Sequence, residues 1–163
     1  MATLTSKLTE SITLDSGTLD STNTLTISSI ADAVKRTVTV DTTEMTLLAF
    51  GQHGATDSGA STTVGTFDRD AVRYIRITNL DGTNHVSLTF KGEGNEEFGV
   101  LLDKGQTFMY NPDLATGVVD TMDAADGAIS PGTFLDLLTI TALANSGACQ
   151  LEVFVASATP SEA

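Results

Sequence analysis

Apolar and polar residues alternate along much of this chain with a period of two. In Val34-Lys35-Arg36-Thr37-Val38-Thr39-Val40 the valines fall on one face. In His85-Val86-Ser87-Leu88-Thr89-Phe90-Lys91, Val86, Leu88 and Phe90 share one face while His85, Ser87, Thr89 and Lys91 share the other. Cys149, Leu151, Val153 and Val155 repeat the pattern opposite Gln150, Glu152 and Phe154. Successive side chains of a strand point to opposite faces, so this period predicts strands with one buried face. The same reading predicts strands over residues 44–51, 72–79, 98–102, 107–110 and 135–143, with weaker ones over 7–14 and 24–30.

Turn signals separate these runs. Asn79-Leu80-Asp81-Gly82-Thr83-Asn84 contains Asp-Gly, a favoured hairpin dipeptide, and Asp103-Lys104-Gly105 and Asn145-Ser146-Gly147 read the same way. Glu93-Gly94-Asn95-Glu96-Glu97 is a longer acidic loop. Roughly eight to ten short strands at close spacing predict an all-β, single-domain β-sandwich, jelly-roll-like. Helix has little claim here. Ser29 with Asp32 caps at most one short turn leading into Ala33-Val34, and residues 120–128 hold at most another. Residues 51–61 and 111–131 are small, polar and glycine- or proline-marked, and read as long loops of the kind that serve function or are ordered by a partner. Residues 1–30 read as an extended N-terminal arm, 31–156 as the sandwich and 157–163 as a solvated tail.

Composition sharpens this picture. Threonine fills 27 of 163 positions, which suits the half-wet face of a sheet, because Thr is β-branched and carries a hydroxyl. A hydrophobic fraction of 40% is too high for a disordered chain, yet no run nears the roughly 20 apolar residues of a membrane span. Met1 to Lys7 shows no basic cluster followed by an apolar stretch, so no cleaved secretory signal is expected. One Cys can form neither an internal disulfide nor a cysteine-based zinc site. Twenty-one acidic residues against 8 basic ones give a net charge of -13, which opposes a general grip on nucleic-acid phosphates. That acidity reads either as solubility or as a face meeting a basic partner surface.

Candidate chemistry is sparse. His53 lies in the glycine-rich loop and His85 on a polar strand face, and the nucleophile elbow G-x-S-x-G is absent from the sequence. Cys149 falls on the apolar side of the last strand and reads as a buried, inert thiol. Glu96-Glu97 and the trio Asp120, Asp123 and Asp126 are the densest carboxylates. Glycosidase chemistry wants such pairs in an aromatic-lined cleft, whereas aromatics make up 6% of this chain and Trp is absent. The Asp120–Asp126 spacing does not fit a calcium-binding EF-hand loop, and no phosphate-binding glycine motif follows a strand. Arg69, Arg73 and Arg76 form the one basic concentration, read either as locally paired with Asp68 and Asp70 or as contacting a neighbouring acidic subunit. Alternation puts Arg73 and Arg76 on opposite faces, and Arg76 with Val72 and Tyr74, where it should be ion-paired or stacked on an aromatic ring. No catalytic, cofactor-binding or metal-ligating residue is therefore assigned.

The run Val72-Arg73-Tyr74-Ile75-Arg76-Ile77-Thr78-Asn79-Leu80-Asp81-Gly82-Thr83-Asn84 leads into a strand over 86–90. Leu102-Asp103-Lys104-Gly105-Gln106-Thr107-Phe108 follows, then the closing strands around 137–143 and 149–156. Over residues 72–156 this series of turns and alternating strands resembles small all-β virion proteins of tailed bacteriophages, especially those of marine and cyanobacterial phages. The resemblance implies a sandwich or jelly roll without catalytic residues or cofactors, serving as a capsid decoration (cement) protein or as a tail or fibre component. The expectation is a homo-oligomer, trimer or dimer, on the outer capsid surface of the virion. It would be made in the host cytoplasm and would bind the major capsid protein or other virion proteins, with no nucleic-acid or membrane partner. A small hydrolase using His53 or His85 is the competing expectation from another class.

Overall fold

The computed structural model of the chain describes residues 2–51, 66–68, 71–92, 97–110 and 137–158. The protein is an all-β sandwich of two packed sheets. Its strands are β1 (Ala2–Leu14), β2 (Gly17–Val40), β3 (Met45–Gly51), β4 (Thr66–Asp68) and β5 (Val72–Asn79), followed by β6 (Val86–Gly92), β7 (Glu97–Leu102), β8 (Thr107–Tyr110), β9 (Leu137–Ala144) and β10 (Cys149–Ala158). One sheet has the order β1-β2-β10-β5-β8 and the other β4-β3-β9-β6-β7. Among the described residues every pairing is antiparallel except the short parallel contact of β3 with β4.

The alternation seen in the sequence is what fills the space between the sheets. Val38, Val40, Ile75, Ile77, Leu151, Val153 and Val155 from the first sheet meet Leu47, Leu48, Val86, Leu88, Phe90, Leu102 and Ile140 from the second, all buried. Each such side chain removed from water contributes about 1.5–3 kcal/mol, the main favourable term holding the layers together. Phe90 ties them: its ring stacks on Phe98 of β7 at 4.5 Å and tilts against Phe108 of β8, in the opposite sheet, at 5.1 Å.

The Asp-Gly turn expected to close a hairpin does something else. It carries the chain from β5 in one sheet to β6 in the other, and the turns at 103–106 and 145–148 likewise cross between sheets. A tight hairpin turn of the Asp-Gly type needs positive φ at both central residues, and Gly82 does not adopt it. Instead the buried Asn79 shapes the arch. Its Nδ2 donates to the carbonyls of Asn84 (2.9 Å) and Leu102 (3.2 Å), and its Oδ1 accepts from the Asp81 amide at 2.9 Å. Asp81 Oδ1 then accepts from the Thr83 and Asn84 amides, which holds the Asp81 carboxyl below its ordinary range. Backbone bonds from Asn79 N to Gln106 O and from Gly105 N to Asn79 O sew the neighbouring arch alongside, with Gly105 in the left-handed region at φ +69°.

β2 is the other departure. At 24 residues it is long enough to serve two partners: its second half pairs with β10, its first half with β1. The short helical turn expected after Ser29 is instead strand with a bulge. Between Leu4↔Ile27 and Ala2↔Ile30 the β2 side holds one extra residue, and a second register shift lies between Ser157↔Asp32 and Ala158↔Ile30. Ser29 absorbs the irregularity at φ +62°. The polar Ser29-x-x-Asp32 spacing that mimics a helix cap thus marks the bend where β2 leaves the sheet. Beyond it, β1 and the first half of β2 continue as a two-stranded ribbon ending at the turn Asp15-Ser16.

Candidate functional site

The ribbon has two chemically distinct faces. From Leu4↔Ile27 to Leu14↔Gly17 the register is regular, so Leu4, Leu8, Ile12 and Leu14 share a face with Ile27, Leu25 and Leu19. The opposite face pairs Thr5 with Thr26, Lys7 with Thr24, Thr9 with Thr22, Ser11 with Asp20 and Thr13 with Thr18. Hydroxyl contacts run along it, including Ser11 Oγ donating to Asp20 Oδ1 at 2.5 Å. Such β-branched ladders favour the extended backbone, but a lone hairpin is only marginally stable in water.

What anchors the ribbon is its root. Leu4, Leu25, Ile27 and Ile30 pack on Tyr74, Phe154 and Ala156, forming a second hydrophobic cluster on the outer surface of the first sheet. Tyr74 and Phe154 meet edge to face at 5.9 Å, and the Tyr74 hydroxyl lies 3.4 Å from Ser6 Oγ. Farther out the same apolar face has nothing against it among the described residues. Leu8, Ile12, Leu14 and Leu19 are 44%, 54%, 48% and 64% exposed. Single exposed leucines are ordinary, but here Ile12, Leu14 and Leu19 adjoin on one ribbon face, with Leu8 set apart from them by Glu10 and Ser21.

Beside the root lies an open groove of about 300 Å³, lined by Leu4, Thr5, Ser6, Lys7, Tyr74, Arg76, Met109 and Phe154. Its apolar floor is bordered by cations. Arg76 donates to Glu152 and lies 5.8 Å from the Phe154 ring centre, while Lys35 Nζ reaches Glu152 Oε2 at 2.9 Å. The Lys35 ammonium, with Arg76 behind it, holds the Glu152 carboxyl below its ordinary range against a smaller opposing effect of burial.

A carboxyl lowered in the folded state adds stability above its unfolded pKa, near 4.5, and this is lost as pH falls through the folded value. Glu44 acts in the same direction on the other sheet, held down by the Thr141 hydroxyl at 2.6 Å and by Lys91 at 2.9 Å. We expect the thermal midpoint to fall as pH drops below about 4.5, and Glu152→Gln to make that fall shallower. Calorimetry between pH 7 and pH 3 checks this; an unchanged slope in the variant would remove Glu152 from the account.

The other residues singled out in the sequence are placed as follows. Arg76 is both paired and ring-stacked, on the same face as Tyr74, but Val72 is not with them. Tyr74 is opposite Ala156 while Val72 is opposite Ser157, so Arg73 is an extra residue that turns Val72 into the core. His85 Nδ1 stands 3.0 Å from Asn145 Nδ2, and its carbonyl accepts from the Asn145 amide at 3.2 Å, both contacts joining two arches. Cys149 is buried, its thiol pushed up first by burial and then by the Asp81 charge. Glu97 lies 3.7 Å from Lys91. His53, Arg69, Asp70, Glu96, Asp120, Asp123 and Asp126 lie outside the described residues, as do most of the two long loops. Among the described residues no group of three His, Cys, Asp or Glu side chains is placed to hold a metal ion.

The sequence predicted weak strands over 7–14 and 24–30, which β1 and β2 include, but not their pairing into a ribbon with an exposed apolar face. Leu4, Leu8, Ile12 and Leu14 all occupy even positions, but Ser6 and Glu10 interrupt them and dilute the alternation. No family model, curated protein or solved structure matches the chain.

Proposed function

We propose that this is a non-enzymatic structural protein of a phage particle, a capsid decoration (cement) protein seated on the outer shell as a homo-oligomer. One observation supports this reading most: the amphipathic ribbon continuing beyond the sandwich, its outer apolar face uncovered among the described residues. A two-stranded ribbon that spends four large apolar side chains on solvent gains stability when another chain covers them. The mechanism is added contact area. Stable complexes need on the order of 1,000 Å² of well-packed interface, and repeating such a contact over many sites raises the cost of separating shell subunits. The net charge of -13 suits an outward position better than one lining packaged nucleic acid.

The strand order adds to the reading. Without β1 and the short β4, one sheet runs β2-β10-β5-β8 and the other β3-β9-β6-β7. We read this as a jelly roll, in which all connections except β6 to β7 cross between sheets, an architecture used by many shell-forming proteins.

Copy number tests the proposal. Quantitative mass spectrometry of purified particles should find this chain at a stoichiometry comparable to the major shell protein. A handful of copies per particle would move it to the tail or fibre, and its absence from particles would end the virion reading.

A further inference from the structure

We propose that the ribbon tip of one copy docks in the groove at the ribbon root of a second copy. The inference rests on the assembly reading only in assigning the ribbon to contact, and it names the partner as this same chain.

Reach comes first. From Ile30 to Gly17 the ribbon extends about 40 Å at the usual rise per residue. The groove lies at the root of that same ribbon, bordered by Leu4 to Lys7. A paired ribbon with continuous register cannot fold its own tip back onto its root, so a ribbon tip seated in this groove belongs to another copy.

Chemistry comes second. The tip offers Ile12, Leu14 and Leu19 with Glu10 on the same face and Asp15 at the turn, and no cation occurs from Leu8 to Val34. The groove offers the complement: Leu4, Met109 and Phe154 as an apolar floor, with Lys7 and Arg76 beside it. Met109 is 39% exposed there, a large apolar side chain left half-covered. In a chain of net charge -13, two of the 8 basic residues, Lys7 and Arg76, line this groove, and Lys35 shares Glu152 with Arg76 beside it. An acidic apolar tip and a cationic apolar groove match each other in charge and in apolar character. Exchange is reciprocal if the two copies are related by a two-fold axis, or it forms a closed ring if each tip enters the next groove.

The test uses the full chain in solution. Sedimentation of the wild type should show a concentration-dependent oligomer. Ile12→Ser with Leu19→Ser should raise its dissociation constant by roughly tenfold or more per position, the usual effect of truncating a central apolar contact. Both side chains are exposed, so the far-ultraviolet strand spectrum should not change. Lys7→Glu should also weaken the oligomer, and adding Asp15→Lys to the same chain should restore it. Contact is read directly by mixing one chain carrying Ile12→Cys with another carrying Met109→Cys under oxidising conditions. A covalent heterodimer is expected. A wild type that stays monomeric, an oligomer indifferent to the Ile12 and Leu19 changes, no rescue by Asp15→Lys, or cross-linking only between Ile12→Cys copies would each overturn the proposal. A monomer that still decorates shells would leave the cement reading standing, with the shell protein as the occupant of the tip.

Discussion

Phe90→Ala should cost about 3–5 kcal/mol of folding stability, a large share of the 5–15 kcal/mol typical of a domain. Phe90 is 1% exposed and its ring reaches Phe108 in the opposite sheet. Its truncation removes the stacked contact with Phe98 and the tilted contact with Phe108, and it opens a cavity facing Leu88 and Ile140. Strands paired across the whole sandwich cannot shift locally to fill such a space without breaking ladder bonds. For a chain of this size the thermal midpoint should fall by roughly 10 °C, and the urea midpoint should drop with little change in slope. Phe90→Leu should lose less, because most of the volume stays. A Phe90→Ala variant within about 1 kcal/mol of wild type would mean that the sheets are not held together by this layer.

The layer itself was legible from the chain because burial on one face imposes a period of two, and Val86-Leu88-Phe90 and Leu151-Val153-Val155 carry it without interruption. Which strand lies beside which was not legible. Asp81-Gly82 belongs equally to a hairpin and to an arch, and the choice falls to Asn79, whose burial and bonds to Asn84 and Leu102 depend on strands far away in sequence. Register slips were hidden for a similar reason. One extra residue at Arg73 sends Val72 inward, and another near Ser29 bends β2 out of its sheet. Neither position carries the Gly or Pro that usually announces a bulge.

The candidate contact surface was legible only by halves. Arg76 was expected to be paired or stacked on a ring, since a long cation on a half-buried face needs one or the other. Its actual neighbours, Glu152 and Phe154, come from β10, 76 and 78 residues later. Lys7 and Leu4 reach the same groove because β2 is long enough to carry the ribbon root back over its own sheet. No local pattern encodes that convergence. It follows from the bulge at Ser29, which directs the ribbon across Tyr74 rather than straight on from the sheet edge.

Asn79→Asp should be the most damaging exchange of near-identical size, and its penalty should depend on pH in a direction opposite to the wild type's own acid response. Asn79 is 0% exposed, and its Nδ2 serves two carbonyl oxygens at once. A carboxylate there would face those oxygens with no proton to offer, and the Asp81 carboxylate would stand two residues away. Burial and these negative groups must raise its pKa above the unfolded value near 3.9. A raised carboxyl is destabilising while ionised, so the penalty is full at neutral pH and shrinks as pH falls toward the unfolded value. We expect a loss of about 3–5 kcal/mol at pH 7, the cost of an unpaired buried charge. Near pH 4 the protonated carboxyl can donate to one of the two carbonyls, and the deficit should be smaller by half or more. Asn79→Ala should lose about 2–3 kcal/mol at both pH values, because it leaves the same carbonyls unbonded without adding charge. Urea titrations of the three proteins at the two pH values separate these outcomes. Equal, pH-independent losses in both variants would mean that Asn79 fills space at the arch rather than bonding its two strands' ends together.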